Sequence, residues 1–189
     1  MHIAVFGGSF DPPHNGHLAL CLFARELLEI DWIIISVSNN PLKLGPKVED
    51  YHRKRMAELL SSELNETGFC SEVSSWELEK KKPSYTVDLM RHIHDRYPSD
   101  KVTLLVGEDS FTKFPLWKEH ERLSELCDVV VFKRDSGLPQ RGQSVFRVID
   151  FTCPVSSTEV RRRVKAGESF SRVLPSSLFR YITTQKLYR

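Results

Sequence analysis

Residues 2–17 read HIAVFGGSFDPPHNGH. The first five residues form a short apolar run, which predicts a buried strand that stops at Gly7 and Gly8. Glycines at such a turn let backbone N–H groups come close to a ligand, and the N-terminus of the following helix adds positive potential. His14 and His17 are three residues apart at that helix start, so their imidazoles share one face. This stretch predicts a phosphate-binding turn and favours nucleotide chemistry.

A metal site is the other function that two nearby histidines suggest. No carboxylate or cysteine follows His14 and His17 at ligand spacing, and the sequence has no His-Glu-x-x-His pattern. We therefore expect the histidines to contact phosphate, and we expect no protein-bound metal.

The composition is typical of one globular domain, which we predict to span residues 1–189. Hydrophobic residues make up 40% and charged residues 28% of the chain, which is ordinary for such a domain. The net charge of +2 is too balanced to indicate a nucleic-acid partner, and it suits an anionic small molecule.

The cysteines and the apolar runs predict a cytoplasmic protein. Cys21, Cys70, Cys127 and Cys153 are widely spread and form no Cys-x-x-Cys pair, so we expect free thiols in a reducing compartment. The N-terminus has no basic segment typical of a signal peptide. No apolar run approaches the ~20 residues of a membrane span, so no membrane partner is expected.

Strand and helix patterns alternate along the chain. Strands are predicted at residues 2–6, 32–37, 70–76, 102–106, 129–132 and 145–151. Helices are predicted at residues 20–28, 56–64, 85–97, 117–126, 157–165 and 178–183, with Ser84 capping the third. Continuous apolar strands between helices indicate an α/β fold with a doubly wound parallel sheet. Its site should lie at the carboxyl ends of the strands, where residues 7–8, 38–40 and 107–109 fall.

Three later blocks narrow the function. Residues 82–89 read KPSYTVDL, residues 107–117 read GEDSFTKFPLW, and residues 155–161 read VSSTEVR. Together with the opening His-Asn-Gly-His they resemble, in order and spacing, the bacterial nicotinate-mononucleotide adenylyltransferases of the nucleotidylyltransferase superfamily. The resemblance covers essentially the whole chain and implies a Rossmann-like fold.

The resemblance implies transfer of AMP from ATP to nicotinate mononucleotide, which gives deamido-NAD and pyrophosphate in NAD biosynthesis. It also implies that Mg²⁺ is carried with ATP. Such chemistry needs alignment of the reactants and neutralisation of charge on the transferred group. His14, His17, Arg161 and Lys43 are the implied catalytic residues. The implied ATP-binding residues are Gly7, Gly8, Ser9, Phe10, Ser156, Ser157, Thr158 and Arg161, and a capping box of Ser156 with Glu159 is predicted at the helix start.

The nicotinate-mononucleotide side is implied at a second helix start and in the block after the fourth strand. Its residues would be Ser84, Tyr85, Thr86, Asp109, Trp117 and Asn40. Thr86 and nearby N–H groups would bind the nicotinate carboxylate, Trp117 would stack on the pyridine ring, and Asp109 would hold ribose hydroxyls. The sequence departs from the family where Asn40-Pro41-Leu42-Lys43 replaces the usual Pro-Pro-His-Lys or Pro-Pro-His-Arg. Lys43 keeps the cation, but Leu42 replaces an imidazole.

Several alternatives stay open at this stage. The acceptor could be nicotinamide mononucleotide or phosphopantetheine, or the fold could serve as a regulatory nucleotide-binding module without turnover. Trp117 alone would more often be a packing aromatic, and residues 161–163 could form a nucleic-acid patch, although only Arg161 fits the phosphate motif. The oligomeric state is also open, a homo-oligomer included.

Overall fold

A single parallel sheet runs through the protein. The computed structural model describes residues 1–40, 47–80, 82–133 and 146–189. Within these ranges the strands are β1 (His2–Gly8), β2 (Trp32–Val37), β3 (Ser71–Ser74), β4 (Lys101–Gly107), β5 (Asp128–Lys133) and β6 (Arg147–Asp150). They are ordered β3-β2-β1-β4-β5-β6, and each neighbouring pair is parallel. This order reverses between β1 and β4, as in doubly wound dinucleotide-binding folds, so the predicted fold class is confirmed.

Helices cover both faces of the sheet. They are α1 (Asn15–Leu28), α2 (Asp50–Asn65), α3 (Trp76–Glu79), α4 (Thr86–Arg96), α5 (Glu108–Phe111), α6 (Leu123–Leu126), α7 (Ser157–Ala166) and α8 (Ser176–Thr184). Short 3₁₀ turns lie at Phe114–Leu116, His120–Arg122 and Ser171–Val173. No helix in the described ranges is both long and apolar enough to cross a membrane.

Strand β1 is apolar throughout because both of its faces are buried. Ala4 and Phe6 join a core cluster with residues of α1 and α2, whereas Ile3 and Val5 join a second cluster with residues of α4. Alternate residues of a strand point to opposite faces of a sheet, so a strand covered on both sides has no polar positions. The covered sheet holds the carboxyl ends of β1 and β4 in fixed positions.

A third cluster fixes the C-terminal helices. Met56 of α2 packs with Val160 of α7 and with Leu178 and Ile182 of α8, and all four side chains are almost fully buried. This packing brings the N-terminus of α7 to the carboxyl edge of the sheet, beside the loop that follows β1.

The predicted helix at residues 117–126 is wrong. Trp117 has extended backbone angles, and Glu119 has a φ of 50°, in the left-handed region that a right-handed helix excludes. Only the 3₁₀ turn at His120–Arg122 and helix α6 form within residues 117–126. The Trp117 ring instead packs on Phe114, with 5.2 Å between ring centroids.

Candidate active site

A cavity of about 470 Å³ opens at the carboxyl edge of the sheet, where the strand order reverses. It brings together most of the predicted site residues. Those that line it are Gly7, Gly8, Ser9, Phe10, His14, His17, Asn40, Thr86, Asp109, Trp117, Ser157, Thr158 and Arg161. Ser84, Tyr85 and Ser156 are not among the lining residues, and Lys43 lies outside the described part of the chain.

The loop after β1 is anchored to the hydrophobic core by the side chain of Phe10. Phe10 is 1% exposed, belongs to the core, and has a φ of 48°. A Cβ atom at Gly8 would lie only 2.7 Å from the Phe10 ring, so the ring can occupy this position only because residue 8 is glycine. Gly7 has open space around it and needs no such explanation. Since the Phe10 side chain is buried in the core, Phe10 can offer a ligand only its backbone.

His14 and His17 form a reciprocal cap on α1. His14 is the N-cap residue, and its Nδ1 accepts the Gly16 N–H at 3.1 Å. The His17 Nδ1 accepts the His14 N–H at 3.1 Å, and the two rings are stacked with their centroids 3.8 Å apart. A neutral imidazole that accepts at Nδ1 carries its proton at Nε2. The capping bonds therefore leave Nε2 as the hydrogen-bond donor of each neutral ring.

Gly16 is required by the histidine pair. A Cβ atom at this position would lie 2.9 Å from His14 Nδ1 and 3.2 Å from the Sγ of Cys153. The His-x-Gly-His spacing thus has a geometric cause. The two imidazoles cap one helical turn, and the position directly before the second histidine must be glycine-sized.

Helix α7 presents its N-terminus to the same cavity. The Ser156 side chain accepts the Glu159 N–H at 3.2 Å, as predicted for an N-cap. The expected capping box is not formed by the described residues, because the Glu159 carboxylate accepts hydrogen bonds from Arg162 and Arg163 instead. These bonds hold the pKa of Glu159 at about 2. Arg162 is exposed, which fits a solvated surface rather than a ligand-binding one.

Unlike Arg162, Arg161 lines the cavity. Its Nη1 donates to the Asp11 main-chain carbonyl at 2.6 Å, and its Nη2 donates to Thr158 Oγ1 at 3.1 Å. The hydroxyl of Ser157 donates to the Pro12 carbonyl at 2.8 Å. Helix α7 is therefore tied to the loop after β1 at two points.

The second helix start differs from the sequence prediction in its cap. Helix α4 begins at Thr86, its N-cap residue is Tyr85, and no side chain caps it. Ser84 is buried, and its hydroxyl has no hydrogen-bond partner among the described residues. The predicted Ser84 cap is wrong because the chain stays extended through Tyr85, which places Ser84 one residue too early. The Tyr85 ring faces the ammonium group of Lys118, 5.1 Å from its centroid.

Sequence reasoning missed Arg53, which connects the two loops at this edge. Arg53 is 2% exposed, and its Nη1 donates to the carbonyls of Ser9 at 3.1 Å and Ser38 at 2.9 Å. Its Nε and Nη2 donate to Asp50. The available signal was a charged residue at a buried position of α2, one turn before Met56.

Glu77 is a second buried ionisable residue that the sequence did not reveal. It is 3% exposed, and its carboxylate accepts hydrogen bonds from the Ser36 hydroxyl at 3.1 Å and from the Asn39 N–H at 3.2 Å. These bonds hold the start of the loop that follows β2, in which Asn40 contacts the cavity. Residues 41–46 of that loop lie outside the described ranges.

The described residues contain no group of three or more His, Cys, Asp or Glu side chains that could hold a metal ion. Asp11 lines the cavity, but both of its carboxylate oxygens already accept hydrogen bonds: Oδ1 from the Tyr188 hydroxyl at 2.8 Å and Oδ2 from the Lys47 N–H at 2.7 Å.

Comparison with known proteins identifies the family. Residues 5–163 match the cytidylyltransferase-like family. The chain is 56% identical to a "Probable nicotinate-nucleotide adenylyltransferase" of Pelodictyon phaeoclathratiforme, over all of this chain and 92% of that protein. It is 53% identical to a protein of the same name from Chlorobium phaeobacteroides, over the full length of both. The chain belongs to the nicotinate-nucleotide adenylyltransferase family.

Solved structures agree on the fold of this adenylyltransferase family. The nicotinic acid mononucleotide adenylyltransferase of Plasmodium falciparum complexed with NaAD superposes with a TM-score of 0.78. The match has 20% sequence identity and covers 99% of this chain and 97% of that one. The same enzyme complexed with APC gives a TM-score of 0.75. The resemblance stated from the motifs is confirmed, and so is the Rossmann-like fold.

Proposed function

We propose that this protein transfers the AMP group of ATP to nicotinate mononucleotide. A phosphate oxygen of the mononucleotide attacks the α-phosphorus of ATP and forms a new P–O bond. The bond from that phosphorus to the oxygen bridging it to the β-phosphorus breaks, so deamido-NAD forms and pyrophosphate leaves. The observation that carries the proposal is the histidine pair, whose capping bonds orient two imidazole donors at a cavity that also contains Arg161.

We assign the ATP phosphates to the side of the cavity formed by α1 and α7. His17 and His14 would donate from Nε2 to oxygens of the transferred phosphoryl group, where negative charge accumulates. The N-terminus of α7 and the Arg161 guanidinium would bind the departing pyrophosphate. The backbone N–H groups of Ser9 and Phe10 would complete the phosphate site. Lys43 is proposed as a further cation at the loop after β2.

A divalent cation would enter this site with the nucleotide. Asp11 is engaged by two donors, and the described residues offer no three-ligand cluster. This donor set fits Mg²⁺ held chiefly by triphosphate oxygens rather than by a resident protein site. When bound, the ion would offset negative charge on the phosphates.

We assign the mononucleotide to the opposite side, at α4 and Trp117. The first turn of α4 has no side-chain cap, so its N–H groups and its dipole favour a carboxylate. Asp88 lies in that turn, but its charge is offset by Lys118 at 3.4 Å and Arg91 at 3.5 Å. Trp117 would stack on the pyridine ring, and Asp109 and Asn40 would contact the ribose and phosphate.

The four cysteines support a reducing compartment, and we infer the cytoplasm. All four are free thiols in the structure, and Cys21, Cys70 and Cys127 are buried. Burial of this kind suits unoxidised thiols that act as small apolar side chains.

The test is pyrophosphate release from Mg-ATP with nicotinate mononucleotide, nicotinamide mononucleotide and phosphopantetheine in turn, with each product identified by mass. We expect nicotinate mononucleotide to be preferred over the amide by about 10- to 100-fold in kcat/KM, since charge-assisted hydrogen bonds contribute about 1.5–3 kcal/mol each. Equal efficiency with the amide would overturn the nicotinate assignment. ATP binding without turnover on any acceptor would indicate a regulatory module instead.

A further inference from the structure

Tyr188 lies 177 residues from Asp11 in sequence, yet its hydroxyl donates to Asp11 Oδ1 at 2.8 Å. Asp11 is 5% exposed, and its other oxygen accepts the Lys47 N–H at 2.7 Å. Burial, and then the Asp11 carboxylate, raise the pKa of Tyr188 well above its ordinary value, so the hydroxyl keeps its proton at neutral pH. The hydrogen bond is thus one between a neutral donor and a carboxylate, which is stronger than a neutral pair.

Asp11 is also bound to Arg161. The Arg161 Nη1 donates to the Asp11 carbonyl at 2.6 Å, so the same residue accepts from α7 through its main chain and from Tyr188 through its side chain. Tyr188 therefore reaches the guanidinium indirectly. Tyr188 itself packs against the cluster formed by α2, α7 and α8, in which the neighbouring Leu187 is buried.

We propose that Tyr188 is a positioning residue for the ATP side of the site, acting through Asp11 on the loop after β1 and on Arg161. Without the Tyr188 donor, the Asp11 carboxylate has more freedom to rotate. The main-chain carbonyl of Asp11 would then be a less fixed anchor for Arg161. Nothing in this arrangement touches α4 or Trp117. Loss of the hydroxyl should therefore weaken ATP binding and leave the mononucleotide side unchanged. This inference rests on the proposed function for its choice of substrates.

The experiment compares Tyr188→Phe with Tyr181→Phe. Both changes remove one phenolic hydroxyl from the C-terminal segment, and the Tyr181 hydroxyl shares a 2.8 Å hydrogen bond with His52 Nδ1 of α2, away from the cavity lining. Titration calorimetry with α,β-methylene-ATP gives Kd without an acceptor, and steady-state assays give KM for each substrate. We expect Tyr188→Phe to raise Kd and the KM for ATP about three- to tenfold, given the usual strength of a hydrogen bond to a charged group. The KM for nicotinate mononucleotide should stay within about twofold.

The outcomes separate a positioning role from a purely structural one. Equal rises in both KM values with a lower melting temperature, or no change in Kd, would overturn the proposal. Changes in Tyr181→Phe as large as those in Tyr188→Phe would overturn it as well. If the wild-type protein binds α,β-methylene-ATP but does not use nicotinate mononucleotide, the proposed function fails, while the Kd comparison still tests Tyr188.

A double variant tests the route through Asp11. Asp11→Asn weakens the same junction, so adding Tyr188→Phe to it should raise Kd by less than about twofold more. Full additivity would show that the hydroxyl acts elsewhere, for example through the Met56 Sδ that lies 3.9 Å from it, and would contradict the proposed route.

Discussion

His14 and His17 are hydrogen-bonded through the backbone of one and the side chain of the other: the N–H of His14 donates to Nδ1 of His17 at 3.1 Å. The Nδ1 of His14 in turn accepts from Gly16. One nitrogen of each ring is thereby used for the structure of the helix start, and the other is the atom that the proposed function assigns to a phosphate oxygen. Substitutions of His14 and His17 can therefore separate the capping of α1 from the proposed contact with phosphate.

Asparagine places its amide near the position of Nδ1 and lacks a group near Nε2. His14→Asn should keep the start of α1, because asparagine is a good N-cap residue. In His17→Asn the amide oxygen lies near the position of the Nδ1 atom that accepts the His14 N–H, so this bond should also be kept. Each should lower kcat by about 10²-fold or more, the usual loss for one donor to developing negative charge. The measurements are thermal unfolding and single-turnover kinetics. His17→Gln, whose amide nitrogen approaches the Nε2 position, should recover part of the loss. Near-normal turnover in His17→Asn would contradict the assigned role.

Arg161 and Arg162 are adjacent, but only Arg161 contacts the cavity. Arg161→Lys should raise the KM for ATP about tenfold, since an ammonium group cannot copy the two-pronged guanidinium that binds the Asp11 carbonyl, lines the cavity and is proposed to bind pyrophosphate. Arg162→Ala breaks exposed pairs with Glu159 and Glu168 and should change the KM by less than about twofold. Steady-state kinetics with varied ATP checks both variants. A larger effect at Arg162 would mean that this face of α7 binds ligand.

Arg53 joins the loops after β1 and β2 from beneath the cavity. Arg53→Lys keeps the charge but cannot reach both Ser9 and Ser38, so it should lower the free energy of unfolding by about 1–3 kcal/mol. The KM values of both substrates should rise, because both loops lose an anchor. The matched control is Arg55→Lys on the same helix, whose exposed pair with Glu58 predicts a change within about 0.5 kcal/mol. Urea unfolding measures the stability of each variant, and indistinguishable results for the two variants would refute the role given to Arg53.

The cysteines should differ in reactivity toward thiol reagents. Burial raises the pKa of Cys21 strongly and that of Cys127 to about 12, so neither forms much thiolate at pH 8. Cys153 is partly exposed and lines the cavity. With iodoacetamide at pH 8, peptide mass spectrometry should find Cys153 alkylated well before Cys21 and Cys127. ATP should slow this reaction, and modification of Cys153 at the same rate with saturating ATP would place the nucleotide elsewhere.

Local patterns predicted much of the fold and the first loop. The buried strand predicted from the apolar run of β1 is confirmed. For Gly8 and the pair His14–His17 the structure adds local causes that the sequence analysis did not state: the Phe10 ring beside Gly8 and the reciprocal cap of α1. The parallel, doubly wound sheet was predicted from the alternation of strands and helices, because parallel connections of this kind adopt few topologies.

The parts that could not be predicted depend on distant contacts. The bond of Tyr188 to Asp11 joins the two ends of the chain, and the bonds of Arg53 join two separate loops. A short window of sequence can mark Arg53 as a charged residue on the buried face of α2, but it cannot identify the partners of either side chain. The helix expected at residues 117–126 failed for a different reason. Packing of Trp117 on Phe114 and the left-handed Glu119 override a helical pattern that is locally plausible.

The burial of Phe10 has a consequence for the thermodynamics of ligand binding. The loop after β1 is anchored at its centre by a core side chain, so it cannot open without exposing an aromatic ring to water. Its backbone entropy is therefore lost when the protein folds and not when the nucleotide binds. The N–H groups proposed to bind phosphate are preorganised in the same cooperative unit as the sheet, so ligand binding at this loop should carry little ordering penalty.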